Sequence, residues 1–244
     1  MALPATTAFP QNGSIISRWK LDESSGSRAD SVGINTLTDN NTVTSTTGPF
    51  GDTAALFTKA NSERLSISDA SQSGLDITGN FSFSAWLNLT AITSGQFYGI
   101  FGKYQTTTDN RSYAVEVTVP SGVQKMSTSI GTGDGGTNKT VDTSLVAGTW
   151  ALLTIVYSTA GEVKTYVNGV QIGATQTAFP TSVFSGNAEF ALGVWGNTNV
   201  DFFGGGMQDA MMWSVALTGA NVTTLYDSYT AVTARARLTL LGVA

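Results

Sequence analysis

Alternation between apolar and polar positions dominates the chain, and helical periodicity is nearly absent. The clearest segment is 80–89 (NFSFSAWLNL), where Phe81, Phe83, Ala85, Leu87 and Leu89 fall on one side and Ser82, Ser84, Trp86 and Asn88 on the other. Such period-two patterning predicts a strand with one core face and one lightly polar face. Similar short segments, bounded by Gly, Asn, Ser and Asp, occur at 15–21, 54–58, 64–68, 98–104, 112–119, 124–130, 150–158, 162–167, 170–174, 189–195 and 207–215. Asn168-Gly169 between two of them predicts a type I′ hairpin, because both central positions of that turn need positive φ. Closely spaced strands without intervening helices predict an all-β, two-sheet antiparallel jelly-roll sandwich.

One short helix is expected near the C-terminus. Thr218 is placed to cap it, and Asn221, Val222, Leu225 and Tyr226 follow at helical spacing. The chain then divides into an N-terminal arm (1–13), the sandwich (14–229) and a tail (230–244). In the tail Ala234, Ala236, Leu238 and Leu240 alternate with Thr233, Arg235, Arg237 and Thr239, which predicts an extra strand on a sheet edge of this molecule or of a neighbour.

Composition narrows the chemistry. The 244 residues hold no Cys and no His, which excludes disulfides, thiolate metal sites, cysteine nucleophiles and Ser-His-Asp triads. A net charge of −5 gives no basic footprint for nucleic acid or an anionic membrane, so neither is expected as a partner. Residues 1–12 lack a basic n-region and an apolar run, so no signal peptide is recognised, and no stretch is long enough to insert in a bilayer.

Several motifs together resemble the laminin-G-like jelly rolls of the concanavalin A-like lectin and glucanase superfamily, over about residues 17–229. The residues concerned are Trp19-Lys20-Leu21-Asp22-Glu23-Ser24-Ser25-Gly26, then Ala55-Leu56-Phe57 with Glu63-Arg64-Leu65-Ser66-Ile67, and Phe81 to Trp86. They continue with Gly148-Thr149-Trp150, the run Tyr166-Val167-Asn168-Gly169, and Gly206 to Trp213. The chain departs from the pattern at Ala210, where the family usually has an acidic residue, and at Ala151, where it often has His. The resemblance implies a structural Ca²⁺ at Asp209, with Asp22 the nearest candidate side chain, since calcium accepts six to eight oxygens in flexible geometry. Read from the residues alone, Asp209 is an acid within an apolar strand and needs a partner: backbone N–H groups, Arg64 or Lys20 serve equally.

Glycoside-cleaving relatives carry a Glu-x-Asp-x-x-Glu run. Here Glu116, Glu162 and Glu189 are isolated and Asp22-Glu23 lies at a turn, so no paired acid and base is expected and the chain reads as a non-enzyme. The Gly131–Gly136 run (GTGDGG) lacks the Lys-Ser/Thr ending of a phosphate loop and reads as a hairpin loop. Trp195, Asn197 and Phe202, joined by Tyr104 and Asn110 from another loop, form the candidate ligand site, because rim aromatics flanked by amides suit sugar rings. Two functions follow. The first is an adhesion or glycan-binding module for a carbohydrate or host-surface ligand, on a virion surface or otherwise extracellular, or within a secreted polysaccharide-degrading system. The second is a structural virion protein that contacts other virion or surface proteins, or further copies of itself, through residues 1–13 and 230–244.

Overall fold

A computed structural model describes the backbone of residues 3–196 and 200–240, and the side chains of these residues as far as 231. The strands in chain order are β1 (Ile15–Trp19), β2 (Thr38–Asn40), β3 (Thr44–Thr47), β4 (Thr53–Phe57) and β5 (Arg64–Ile67). They continue with β6 (Phe81–Leu89), β7 (Phe97–Gln105), β8 (Asn110–Thr118), β9 (Lys125–Gly133) and β10 (Gly136–Asp142). The set ends with β11 (Ala151–Ser158), β12 (Glu162–Val167), β13 (Val170–Gln176), β14 (Phe190–Leu192) and β15 (Gly205–Trp213), followed by one helix, α1 (Gly219–Leu240).

Two antiparallel sheets result. One runs β13-β12-β11-β6-β15-β4-β3, with β1 also on β15; the other runs β10-β9-β8-β7-β14-β5-β2. The apolar sides of both sheets meet in a common core, where Phe83 stacks on Phe101 at 3.8 Å between centroids and Trp19 on Phe190 at 5.1 Å. The two-sheet jelly-roll sandwich is therefore as expected. Asn168, at φ 51°, and Gly169, at φ 81°, turn the β12–β13 hairpin as the Asn-Gly pair requires.

A second buried layer was not anticipated. The outer face of β6 is covered, and Trp86 is 6% exposed although its alternation places it on the lightly polar side. The cover is α1 together with the N-terminal segment. Phe50 and Tyr229 stack at 5.5 Å and both meet Trp86 edge-on, while Val222 and Leu225 are fully buried. Burying each of these apolar side chains stabilises by roughly 1.5–3 kcal/mol. Thr218 caps the helix as expected: its Oγ1 accepts the Asn221 N–H at 3.1 Å, and Asn221 Oδ1 accepts the Thr218 N–H at 3.2 Å.

Two expectations about the ends are corrected. From Leu3 onward the arm is part of the body: Phe9 is 3% exposed, lies 5.4 Å from the Tyr229 ring, and the Trp213 indole donates to Pro10 O. The tail is no strand. Residues 230–240 continue α1, and their Ala, Leu and Arg content favours helix although their alternation has period two. The tail side chains beyond 231, Arg235 and Arg237 included, lie outside the described residues.

Candidate functional site

The outer face of the seven-stranded sheet carries the main concentration of polar chemistry. Strand register places Thr38, Ser66, Ala191, Gly102, Ala114, Ser129 and Asn138 side by side across all seven strands. Directly paired residues share a face, and none in this row is larger than Asn, so the row is a low band perpendicular to the strands, a shallow trough that is exposed at its ends, Thr38 and Asn138, and covered between them from Ser66 to Ser129. At strand spacings near 4.8 Å it is about 29 Å long.

Segments 193–196 and 200–203 lie over the middle of this trough. Gly193 N–H donates to Ile100 O at 2.8 Å, Gly99 N–H to Asp201 O at 2.6 Å, and Phe203 N–H to Gly193 O at 2.8 Å. The backbone of Trp195 lies directly on β7: a Cβ at Gly99 would collide with Trp195 N, and one at Gly102 with Trp195 O. Glycine is required at both positions by this approach. Trp195 is half-buried, its ring 4.7 Å from that of Tyr104 at 49°, and its indole Nε1 is shielded without a hydrogen-bond partner.

Beside this pair, Glu116 is 7% exposed and its Oε2 has no partner. Burial, reinforced by Asp201, pushes its carboxyl up to about 7, against a hydrogen bond from Ser127 and the charge of Lys59. Asn138 Nδ2 donates to Ser127 Oγ at 2.8 Å and to Ser129 Oγ at 2.7 Å, so one half of the trough presents an exposed amide braced on two buried hydroxyls. In the other half a cavity of about 410 Å³ is lined by Thr38, Asn40, Ser66 and Glu189 among others.

The structure brings the Trp195 and Tyr104 rings together, but Tyr104 lies within β7 and is 8% exposed, so it backs the indole and only Trp195 is partly open. Asn110 sits one rung beyond Tyr104 on the β7–β8 ladder, where its side chain bonds Asn187. Phe202 is corrected: it is 6% exposed and packs with Ala191 and Val194 under the loop, so it serves as an anchor and offers no stacking face. Asn197 lies outside the described residues. Glu116 is not isolated as its sequence position suggests. Asp201 acts on it from a segment 85 positions away, a pairing that only the loop crossing produces.

Asp209 occupies a bulge in β15 at φ 50°, which turns its carboxylate into the layer beneath α1. Arg18 donates to it through Nε at 2.7 Å and a terminal nitrogen at 2.9 Å, and the Tyr229 hydroxyl donates at 2.8 Å. Its partner is thus neither Arg64, which pairs with Glu189 at 3.3 Å, nor Lys20, whose carbonyl accepts the Asp209 N–H. Both carboxylate oxygens are engaged by donors and a guanidinium fills the adjacent space, so these residues do not fit a divalent cation. Asp22 is exposed, and no group of three or more acidic residues converges among the described residues.

No curated protein matches the chain in sequence. Among solved structures, domain 4 of AbnA, a GH43 extracellular arabinanase from Geobacillus stearothermophilus solved with arabinotriose, matches 87% of this chain and 98% of that one at TM-score 0.62 and 23% identity. The binding domain of Paraclostridial Mosquitocidal Protein 1 matches 89% of this chain at TM-score 0.69 and 14% identity. The botulinum neurotoxin serotype D ligand binding domain, solved with N-acetylneuraminic acid, matches 91% at TM-score 0.64 and 14% identity. This chain spans 52% of each toxin chain. At these identities the likeness is one of fold. The family model described as the concanavalin A-like lectin/glucanases superfamily matches residues 59–223, and with the sandwich described above this chain belongs to that superfamily.

Proposed function

We infer that the chain is a non-catalytic binding module that holds a neutral glycan in the trough on the outer face of the seven-stranded sheet. The observation that carries this reading is Trp195, half-buried, its main chain fixed over two glycines at the centre of a row of small residues and its ring held by the buried Tyr104. The open part of an aromatic ring suits the apolar face of a sugar, and the exposed Asn138, braced on Ser127 and Ser129, offers its amide to the hydroxyls. Domain 4 of the arabinanase, solved with arabinotriose, and the neurotoxin domain, solved with N-acetylneuraminic acid, put carbohydrate ligands on related folds. Glu116 is too enclosed to reach a scissile bond, so the Glu116–Asp201 pair is read as part of the trough wall. Such a module works outside the cell or on a particle surface, and no described helix is long and apolar enough to cross a membrane.

The test is a glycan panel followed by calorimetry on hits. Trp195→Ala should weaken binding about tenfold or more, the 1.4 kcal/mol scale of one lost stacking contact, with its unfolding midpoint little changed, and Tyr104→Leu, which removes the ring behind the indole, should weaken binding less. Wild-type affinity in Trp195→Ala would remove the site. Release of reducing ends that is abolished by Glu116→Gln would replace the binding reading with an enzymatic one.

A second reading, docking onto a virion or another surface assembly, draws on α1. The helix runs eleven residues past Tyr229, about 16 Å at helical rise.

A further inference from the structure

A cavity of about 570 Å³ opens at the end of the sandwich where β4 and β6 finish and β7 and β15 begin. It is separate from the trough. Leu56, Phe57, Ala91 and Tyr98 make its walls mainly apolar, and Lys59 and Gln96 are among its few polar groups. Its size falls in the range that encloses small organic ligands. The walls are fixed by the protein itself. Thr90 N–H donates to Gly204 O at 3.0 Å, Thr93 N–H to Tyr98 Oη at 3.1 Å, and Gly95 N–H to Val119 O at 2.8 Å, so the 90–96 loop is held at both ends.

Lys59 distinguishes this cavity from a simple apolar hollow. Its ammonium stands 4.4 Å from the centre of the Tyr98 ring and donates to the Phe97 carbonyl. It forms no ion pair among the described residues, whereas the fully buried cations Arg18, Arg28 and Lys103 each have a carboxylate within 4 Å. Asp201 and Glu116 act on it only from farther away. A partly buried ammonium without a close counter-ion, set on an apolar wall, is an acceptor site for an anion attached to an apolar body. A sugar would leave most of its hydroxyls unpaired against these walls, which disfavours it here.

We propose that this cavity binds a small amphipathic carboxylate, its apolar body against Leu56, Phe57 and Tyr98 and its carboxylate on Lys59 Nζ. The proposal is independent of the glycan reading, since it uses none of the trough residues. The full chain, titrated with 2-naphthoate and with the uncharged 2-naphthamide, tests it by calorimetry and by amide shifts in a two-dimensional NMR spectrum. Naphthoate should bind saturably, shift Lys59, the 90–96 loop and Tyr98, and exceed the amide about tenfold in affinity. Lys59→Met should bring naphthoate down to the level of the amide, Lys59→Arg should retain the preference, and Ala91→Trp, at an exposed wall position, should abolish both. Absence of saturable binding, equal affinity for acid and amide, or binding that survives Ala91→Trp would each overturn the proposal. A concentration-dependent dimer that Ala91→Trp disperses would overturn it too, by making the cavity a contact between copies of the chain.

Discussion

Arg18 and Asp209 are joined by a two-pronged ion pair, at 2.7 and 2.9 Å, in the layer between the eight-stranded sheet and α1, with side chains 1% and 0% exposed. The pair sits where β15 changes partner. Its first residues pair with β4, its last with β1, and the bulge between Gln208 and Met211 lies at the exchange. Arg18 is also held by Pro4 O and Thr6 Oγ1 and lies 4.8 Å from the Phe9 ring centre, so this one cation ties the N-terminal segment, β1, β15 and, through Tyr229, the helix.

Breaking the pair from one side should therefore be costly. Asp209→Ala leaves a guanidinium buried without a counter-charge and should lower stability by about 3–5 kcal/mol in urea unfolding. Arg18→Met combined with Asp209→Leu should lose less than the sum of the two single changes. EDTA should leave the wild-type midpoint unchanged. A midpoint that falls in EDTA and recovers with Ca²⁺ would show a cation that this donor set does not accommodate.

The helix contributes to the fold through its first three turns, where Val222, Leu225 and Tyr229 are buried. Ending the chain at residue 231 should preserve a cooperative unfolding transition. Ending it at 217 should expose Trp86, Met211 and Trp213 and yield an aggregating or unfolded product, visible as dye binding and loss of the near-ultraviolet signal. Native mass spectrometry of the 231 truncation beside the full chain checks the assembly reading: self-association present in the full chain should vanish while the fold remains.

Glu116 gives stability a defined pH dependence. Its folded pKa, about 7, lies above the ordinary 4.5. Between those values the native state holds a proton that the unfolded chain has released, so stability should fall as pH rises from 4.5 to 7 and stay level above. Glu116→Gln removes this slope. The variant should match wild type near pH 4 and exceed it at pH 8 by up to roughly 3 kcal/mol, measured by denaturant unfolding at both pH values.

The sandwich was legible because its central strands alternate strongly; β6, β11 and β12 fall within a residue or so of their expected bounds. The strands that escaped, β2, β3 and β10, each end a sheet; β2 and β3 are short and built of Thr, Ser, Asn and Asp, and β10 offers a single apolar residue, Val141, too little for an alternation to read. The tail misled because its two-residue alternation and its helix propensity point in opposite directions. At the site, Trp195 could be guessed from its loop position, but Arg18 as partner of Asp209 could not. The two are 191 positions apart, and what unites them is strand register. A lone arginine in the apolar run 15–19 was the available signal.

Gly99 and Gly102 offer the sharpest check on the trough. Both β7 positions would ordinarily favour a β-branched or aromatic residue, and both are glycine because the Trp195 main chain occupies the space of their side chains. Gly102→Ala must therefore lift or shift chain 194–196, carrying the indole away from Tyr104. The expected cost is about 1–3 kcal/mol, typical of overpacking. Glycan affinity should fall as far as in Trp195→Ala, and the indole fluorescence should change because Trp195 leaves its half-buried position. Gly79→Ala, where a Cβ meets nothing within 4 Å, is the matched control and should alter neither quantity. If Gly102→Ala displaces the loop, as crystallography or the Trp195 signal would show, yet leaves glycan affinity at the wild-type value, then the ligand does not rest on Trp195 and the binding face must be sought elsewhere on the sandwich.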